Sequence, residues 1–230
     1  MLVIVASRHD MQARELAERW PGAGVLTCED LSVAGWRHAP DDPDNSVAVI
    51  GGRSVVANEI VGVLTRLSYV PERELLRIAR EDRPYVAAEM TALLKSWLSG
   101  LGCPVLNQPD ANCLSGPGWD QERWVHVAAR LGVPVRPLRR RIALSAGASE
   151  TGPAPPGITV TVVGDRCLGP ADDVLFTHAR RLARAARAGL LSVRFGETAD
   201  GPELLAANPF PDVSAPEVAD AVLEYLWADR

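Results

Sequence analysis

The chain has 230 residues, of which 47% are hydrophobic and 23% are charged, and it carries a formal net charge of −5. A chain of this length forms one large or two small domains, and this composition is typical of a globular protein with a buried core. The acidic balance argues against a broad nucleic-acid-binding surface, because phosphate recognition draws on clustered Lys and Arg. Since no segment approaches the roughly 18 uninterrupted apolar residues of a membrane span, we expect a soluble, cytoplasmic protein.

Short β-rich segments alternate with helical patterns through the first 135 residues, which indicates α/β layering. Strands are predicted at 2–6, 24–27, 47–50, 62–67 and 103–107. Apolar residues at helical spacing predict helices at 10–20, 72–80, 85–99 and 119–131. We interpret the pair Gly51-Gly52 as a turn, because a phosphate-binding P-loop would need further spaced glycines and a Lys.

The composition changes at residues 136–157 to Pro, Gly, Ser, Ala and Arg. We interpret this stretch as a connection between an N-terminal α/β domain at 1–135 and a C-terminal α+β domain at 158–230. The second domain is predicted to contain a strand at 158–163 that turns at Gly164-Asp165, a helix at 172–188, an antiparallel strand pair at 190–195 and 203–207, and a closing helix at 215–227.

Familiar catalytic patterns are missing from the sequence. The four cysteines are scattered without zinc-finger spacing, so we predict reduced, partly buried thiols. No serine lies in a G-x-S-x-G elbow, and the four histidines show no metal-binding spacing. These patterns predict no catalytic residue and no metal ligand.

Three motifs in chain order carry a family resemblance. Val105-Leu-Asn-Gln-Pro-Asp-Ala-Asn112 ends a strand, the following helix closes on Leu131-Gly-Val-Pro134, and Leu205-Ala-Ala-Asn-Pro-Phe-Pro211 follows near the C-terminus. This order resembles the ATP-grasp ligases, especially the maturases of ribosomally made peptides such as microviridins. The resemblance implies an α/β protein with a mainly parallel, pre-ATP-grasp-like sheet domain, followed by a small α+β ATP-grasp-like remnant.

The sequence departs from that family at the positions that handle phosphate and magnesium. Only 20 positions separate Pro137 from Gly157, where the resemblance implies a whole lobe with a phosphate-binding lysine. The one lysine of the sequence is Lys95, on a helix of the first domain. The family's acidic metal ligands fall near Arg194 and on Ala206, which leaves only Asn208 and predicts an incomplete magnesium site, because this ion prefers anionic oxygen ligands.

Nearby carboxylates leave two interpretations of that gap open. Glu197, Asp200 and Glu203 are close in sequence and would be substitute ligands in one interpretation. In the other they are solvated loop carboxylates, which the surrounding Gly and Pro residues favour.

The candidate cofactor-binding residues are Arg139, Arg140, Arg141 and Asn208, because guanidinium groups grip phosphates or carboxylates in a bidentate manner. The candidate substrate- or partner-binding residues are Asn107, Trp119, Trp124 and Arg194, since aromatic side chains are enriched at interface hot spots. Structural alternatives stand beside these roles. An Asn before Pro commonly closes a strand through its own backbone, and some of the six tryptophans must lie in the core.

Three functional hypotheses follow. The first is an ATP-grasp-like protein without full ligase activity and without a cofactor, which binds a peptide or a partner enzyme in a natural-product tailoring pathway. The alternative is an ATP- and magnesium-dependent carboxylate–amine ligase, with completion by a partner subunit as one version. The third is a small-molecule-binding regulatory domain whose pocket lies beyond the C-terminal strand ends, at Ser7, Arg8, 51–54 and Asn107. Neither nucleic acid nor membrane is an expected partner, and homo- or hetero-oligomerisation stays open.

Overall fold

A computed structural model describes residues 1–136, 157–198 and 201–228. The strands within these ranges are β1 Leu2–Ala6, β2 Ala23–Leu26, β3 Val47–Ile50, β4 Arg53–Val56, β5 Gly62–Arg66, β6 Val105–Leu106, β7 Ile158–Val163, β8 Arg166–Leu168, β9 Leu190–Thr198 and β10 Gly201–Asn208. The helices are α1 Met11–Arg19, α2 Arg83–Gly100, α3 Gln121–Arg130, α4 Asp173–Ala186 and α5 Pro216–Trp227. The fold is α/β, with one parallel sheet and two antiparallel sheets.

The first sheet is parallel and has the strand order β2-β1-β5-β6. Every residue of β1 and β5 is buried, as expected for parallel strands that are covered on both faces. Successive residues point to opposite faces, so Val3 and Val5 pack towards α2 and the β3–β4 hairpin, while Leu2 and Ile4 pack towards α1 and α5.

The second sheet is antiparallel and has the order β10-β9-β7-β8. Helices α3 and α4 cover one of its faces, where Trp124 and Leu182 join a core that includes Val160, Val193 and Phe195. The strand residues that alternate with Val160, Val193 and Phe195 point to the other face of the sheet. The candidate site described below lies on that other face.

Helix α5 joins the two sheets. Its buried residues Val222 and Leu226 share one core with Leu64 of the first sheet and with Leu190 of the second. The helix lies so close to β5 that a Cβ on Gly62 would be 2.9 Å from the Leu226 backbone oxygen. Glycine is therefore required at this crossing.

Most of the predicted elements are confirmed, and three of the predicted helices begin at an aspartate that caps them. The carboxylates of Asp10, Asp120 and Asp172 accept the backbone N–H three residues further on, at 3.1, 2.8 and 2.9 Å. An aspartate in this position satisfies an N–H that the first helical turn leaves without a partner. The helix starts were thus encoded locally.

The predicted helix at 72–80 is wrong. Only the short 3-10 turn Glu72–Glu74 forms there, and Leu75 leaves the helical region with φ −87° and ψ 59°. The apolar spacing that suggested a helix instead reflects single anchors, because Leu75 is buried and Ile78 packs partly buried on the same core. The predicted strand at 103–107 shortens to the two residues of β6.

Strand β3 does not join the parallel sheet but pairs with β4 in an antiparallel hairpin. Gly51 and Gly52 form its turn with φ values of 56° and 77°. Two successive positive φ angles are those of the tight turn that matches the twist of hairpin strands. The turn interpretation of this glycine pair is confirmed.

Residues 137–156, the greater part of the predicted connection, lie outside the described ranges, and the two-domain division stays a prediction. No described helix combines the length and hydropathy that a membrane-spanning segment requires.

Candidate functional site

Asn107, directly after β6, is 2% exposed and links the two sheets. Its Oδ1 accepts the N–H of Leu190 at 2.7 Å. Its Nδ2 donates to the carbonyl oxygens of Leu190 at 2.8 Å, Pro209 at 3.2 Å and Ser115 at 3.4 Å. Because a side-chain amide has two donor hydrogens, both are engaged within the protein. This arrangement supports a structural role for Asn107.

Asn208 ends β10 in the local turn that an Asn before Pro predicts. Its Oδ1 accepts the N–H of Phe210 at 2.9 Å, and its Nδ2 donates to the carbonyl oxygen of Phe210 at 2.8 Å. The exposed amide is therefore oriented by its own loop.

One face of the second sheet brings together positions that the sequence motifs singled out. The strand register places Arg194 opposite Ala206 on β10 and opposite Thr159 on β7. Directly opposed residues share a face of the sheet. Ser192 forms the neighbouring row in the same way, because it lies opposite Asn208 on β10 and opposite Thr161 on β7. We call this surface the Arg194 face, and it is formed by Thr159, Thr161, Ser192, Arg194, Ala206 and Asn208.

Arg194 gives this face its charge. The side chain is half-buried, and its Nε is buried without a hydrogen-bond partner among the described residues. An unpaired guanidinium N–H in a partly dry setting favours an anionic group, either a carboxylate or a phosphate.

Magnesium does not fit the described part of the Arg194 face. The two positions where the family resemblance implies acids are cross-strand neighbours, Arg194 and Ala206, so a cation and a methyl group stand where carboxylates would be needed. The Asn208 amide is held by its own turn. Across the described ranges, no group of three His, Cys, Asp or Glu side chains could hold a metal ion.

Arg139, Arg140 and Arg141 lie outside the described residues. The nearest described arginine, Arg136, pairs with Glu203 at 2.5 Å on β10. The same edge is covered by the residues that follow α3, where the Pro134 carbonyl accepts the N–H of Leu204 at 2.8 Å. Glu203, one of the predicted substitute ligands, is thus ion-paired.

The predicted tryptophan pair divides into one core residue and one surface residue. Trp124 is 2% exposed and belongs to the core beneath α3, so the structure corrects its assignment as a partner contact. Trp119 is half-buried, lies 4.7 Å from Trp124 between ring centroids, and has the Arg123 guanidinium 4.5 Å from its ring centre. Only Trp119 of this pair offers surface to a partner.

A second arrangement, at the C-terminal ends of the parallel strands, was missed from the sequence. Arg66 at the end of β5 is 7% exposed and bonds to the Asp10 carboxylate at 2.8 Å. It also donates to Gln12 at 2.8 Å and to the carbonyl oxygen of Pro211 at 3.3 Å, and its guanidinium lies 4.7 Å from the ring centre of Phe210. The sequence signal that could have identified this arrangement is a charged residue, Arg66, at the end of an otherwise uncharged buried strand.

The same strand ends border a cavity of about 210 Å³. It lies at the switch point of the sheet, between β1 and β5, where ligands of open α/β sheets bind. Of the residues predicted to line a pocket beyond the strand ends, Ser7 lines this cavity. Asn107 does not line it and makes the contacts described above, and Gly52 donates its N–H to Asp30 at 2.9 Å. Arg8 lies next to the site and donates its backbone N–H to Glu74 at 3.4 Å.

The cysteines in the described ranges are free thiols, as predicted. Burial, together with the negative charge of Glu74, raises the pKa of Cys28 to about 12. Burial also raises the pKa of Cys103 and of Cys167. Since the thiolate is the nucleophilic form, Cys28 is chemically quiet near neutral pH.

Neither a protein-family model nor a curated protein matches the sequence. Solved structures match over its whole length. The macrocyclase MdnC from Microcystis aeruginosa, bound with the precursor peptide MdnA, superposes with a TM-score of 0.74 at 11% identity, covering 100% of both chains. The chain has the fold of the ATP-grasp ligases.

Two further ATP-grasp structures agree. The ligase PsnB, complexed with a minimal precursor, Mg and ADP, matches with a TM-score of 0.66 at 14% identity over 98% of each chain. A Chryseobacterium gregarium RiPP-associated ATP-grasp ligase, in complex with ADP and a leader and core peptide, gives 0.67 at 7% identity over 100% of this chain and 97% of that one. The ATP-grasp resemblance is confirmed for the fold, and the predicted loss of ligase activity stays a prediction.

Proposed function

We propose that this protein binds a precursor peptide during the maturation of a ribosomally made peptide. The observation that carries the proposal is the full-length likeness to MdnC bound with its precursor peptide. A second ligase of this fold was crystallised with a leader and a core peptide. The likeness extends across both sheets of this chain, so it includes the Arg194 face.

Two features of the chain suit an acidic peptide. The half-buried guanidinium group of Arg194 would donate to a peptide carboxylate. Trp119, half-buried beneath Arg123, supplies an aromatic surface of the kind that is enriched at binding hot spots. The two candidate contacts lie on different faces of the second sheet, which would suit a peptide that wraps around an edge.

Peptide binding is tested by fluorescence anisotropy with the precursor-like peptide encoded nearest to this gene, labelled at one end, and with a scrambled version. Arg194→Gln should weaken binding about tenfold, since one charge-assisted hydrogen bond is worth roughly that factor. Arg181→Gln, at an exposed arginine of α4, is the matched control and should change the affinity less than about twofold. Equal binding of the scrambled peptide would count against the proposal.

Ligation of the bound peptide is the second candidate function, and the comparisons favour it. The matched structures are a macrocyclase and two ligases, and both ligases hold ADP. In such a reaction the γ-phosphoryl group of ATP passes to a carboxylate and ADP leaves. An amine or hydroxyl then attacks the acyl carbon, and phosphate departs. The described residues offer no magnesium site, so its ligands would come from residues outside the described ranges or from a partner subunit.

The two candidates are separated by calorimetric titration with Mg-ATP and by an assay of ADP release with and without the peptide. Peptide-dependent ADP release would support ligation, and Arg194→Gln should raise the peptide concentration that this release requires by about tenfold. Peptide binding without nucleotide binding or ADP release would establish a non-catalytic role. The Arg194–Ala206 pair supports this role, because neither residue offers a carboxylate to magnesium. A protein that binds neither peptide nor nucleotide would overturn both candidates.

A further inference from the structure

Glu74 is a buried carboxylate at the C-terminal end of the parallel sheet. It closes the 3-10 turn Glu72–Glu74 that follows β5, and its side chain is 3% exposed. Carboxylates are almost never so completely buried unless they are paired. The surroundings of this side chain therefore indicate what it binds.

The two oxygens of Glu74 differ. Oε2 receives the backbone N–H of Arg8 in a long contact of 3.4 Å. Oε1 is buried and has no N–H or O–H donor among the described residues. The thiol of Cys28 is a weak donor beside this carboxylate. A buried anionic oxygen without a strong donor is costly, because it has lost its water and gained little in return.

None of the neighbouring arginines forms an ion pair with Glu74 in the described structure. The guanidinium of Arg66 faces Asp10 at 2.8 Å, and that of Arg8 faces Glu29 at 2.7 Å. Arg73 and Arg77 are exposed, and no ion pair joins either of them to Glu74 in the described structure. The charge of Glu74 also acts on the adjacent Cys28, whose thiol pKa it helps to raise after burial. The carboxylate thus has no ion-pair partner among the described residues.

Empty space adjoins this carboxylate. Glu74 lines the cavity of about 210 Å³ at the sheet switch point, together with Ser7, Ser68, Tyr69 and Phe210. The lining also includes Arg66, whose charge is paired with Asp10, and the exposed Arg73. Glu74 also lines a second cavity of about 150 Å³ beside Cys28. Sites for drug-sized ligands are typically about 300–1,000 Å³, so these volumes suit a single small group such as a side chain.

A larger open groove of about 610 Å³ shares Tyr69, Pro71 and Arg73 with the first cavity. Its opposite wall is the small-residue surface of α2 around Ala88 and Ala92. A group that reached Glu74 could therefore remain attached to a longer chain lying in the groove.

We propose that the Glu74 cavity binds a primary ammonium group, with the Glu74 carboxylate accepting a hydrogen bond from one of its N–H groups. A primary ammonium supplies three donors and the missing positive charge in a compact form. Ser7 and Ser68 supply polar groups in the same lining. The ammonium comes either from a lysine side chain of a peptide or from a free amine. This site lies on the parallel sheet, so it does not depend on the function assigned to the Arg194 face.

The test is a calorimetric titration of the full chain at constant ionic strength with four probes. Two carry an ammonium, Nα-acetyl-lysine methylamide and propylamine, and two serve as controls, the neutral Nα,Nε-diacetyl-lysine methylamide and KCl. Wild type should bind the ammonium probes and neither control. Tighter binding of the lysine probe would identify a peptide as the source, and equal binding would identify a free amine.

Three variants give the test its contrast. Glu74→Gln keeps the shape but removes the charge, and should weaken ammonium binding about tenfold or more. Glu18→Gln, at an exposed glutamate of α1 that lines none of these cavities, should bind as wild type does. Ser68 is exposed and lines the cavity. Ser68→Trp should therefore block binding by filling the cavity while Glu74 stays unchanged. Thermal unfolding of each variant reports its folding. Unchanged binding in Glu74→Gln, or wild-type binding of the diacetyl probe or of potassium alone, would overturn the proposal.

Discussion

The side-chain amide of Asn107 hydrogen-bonds to both the N–H and the carbonyl of Leu190, at 2.7 and 2.8 Å. The two residues are 83 positions apart, and the contact fastens the last strand of the parallel sheet to the start of β9. The backbone of β9 thus enters the second sheet from a point fixed on the first. The position of the Arg194 face depends on this contact, because Arg194 lies four residues further along β9.

Replacement of Asn107 by Ala should destabilise the protein by about 2–4 kcal/mol, because it leaves buried backbone groups of Leu190 without partners. Chemical denaturation followed by circular dichroism measures the free energy of unfolding. The matched control is Asn112→Ala, at an exposed asparagine of the same loop, which should cost less than about 0.5 kcal/mol. Similar values for both variants would contradict the structural role of Asn107.

Replacement of Arg66 by Met should destabilise the protein by about 3–5 kcal/mol, because Asp10, only 12% exposed, keeps its charge and loses its cation. The comparison is Arg19→Met, which breaks the exposed pair with Asp220, where the side chains are 42% and 55% exposed. That loss should stay within about 1 kcal/mol. Urea titrations of both variants measure the difference, and a cost for Arg66→Met as small as that for Arg19→Met would be inconsistent with a buried ion pair.

Replacement of Trp124 by Ala should cost about 3–5 kcal/mol of stability, since it opens a cavity in the core under α3. Replacement of the half-buried Trp119 by Ala should cost less and should lower peptide affinity in the anisotropy assay. Differential scanning calorimetry and anisotropy on the two variants separate these effects. If Trp119→Ala changed neither stability nor affinity, the proposed aromatic contact would have to be abandoned.

Cys28 should resist alkylation by iodoacetamide at pH 8, because its pKa is raised from an ordinary value of 9.0 to about 12. The half-buried Cys113 should react faster. Peptide mass spectrometry after a timed reaction measures both rates, and the unfolded protein serves as control. Equal rates for Cys28 in the folded and unfolded protein would refute its burial.

The raised pKa of Cys28 also predicts how stability depends on alkaline pH. The folded protein holds the thiol proton more tightly than the unfolded chain does, so the contribution is complete below the unfolded pKa near 9. It is lost as the pH rises towards about 12. The fall in unfolding free energy above pH 9 should therefore be smaller in Cys28→Ala than in the wild type.

The sequence by itself determined the elements whose signals are local. The apolar run of β1, the aspartate caps at Asp10, Asp120 and Asp172, and the Gly51-Gly52 turn each depend on residues within a few positions of one another. The ordered motifs around Asn107 and Asn208 indicated the ATP-grasp fold. The helix predicted at 72–80 failed because apolar spacing reports burial, and separate anchors can produce the same spacing as a helix face.

Only the tertiary structure decided which distant residues meet. Arg66 and Asp10 are 56 positions apart, and Glu74 lines cavities together with residues that come shortly after four different strands. Sequence periodicity specifies which face a strand residue occupies but not which strand lies beside it. The register that sets Arg194 opposite Ala206, and the cavity beside an unpaired carboxylate, follow from that choice of neighbours.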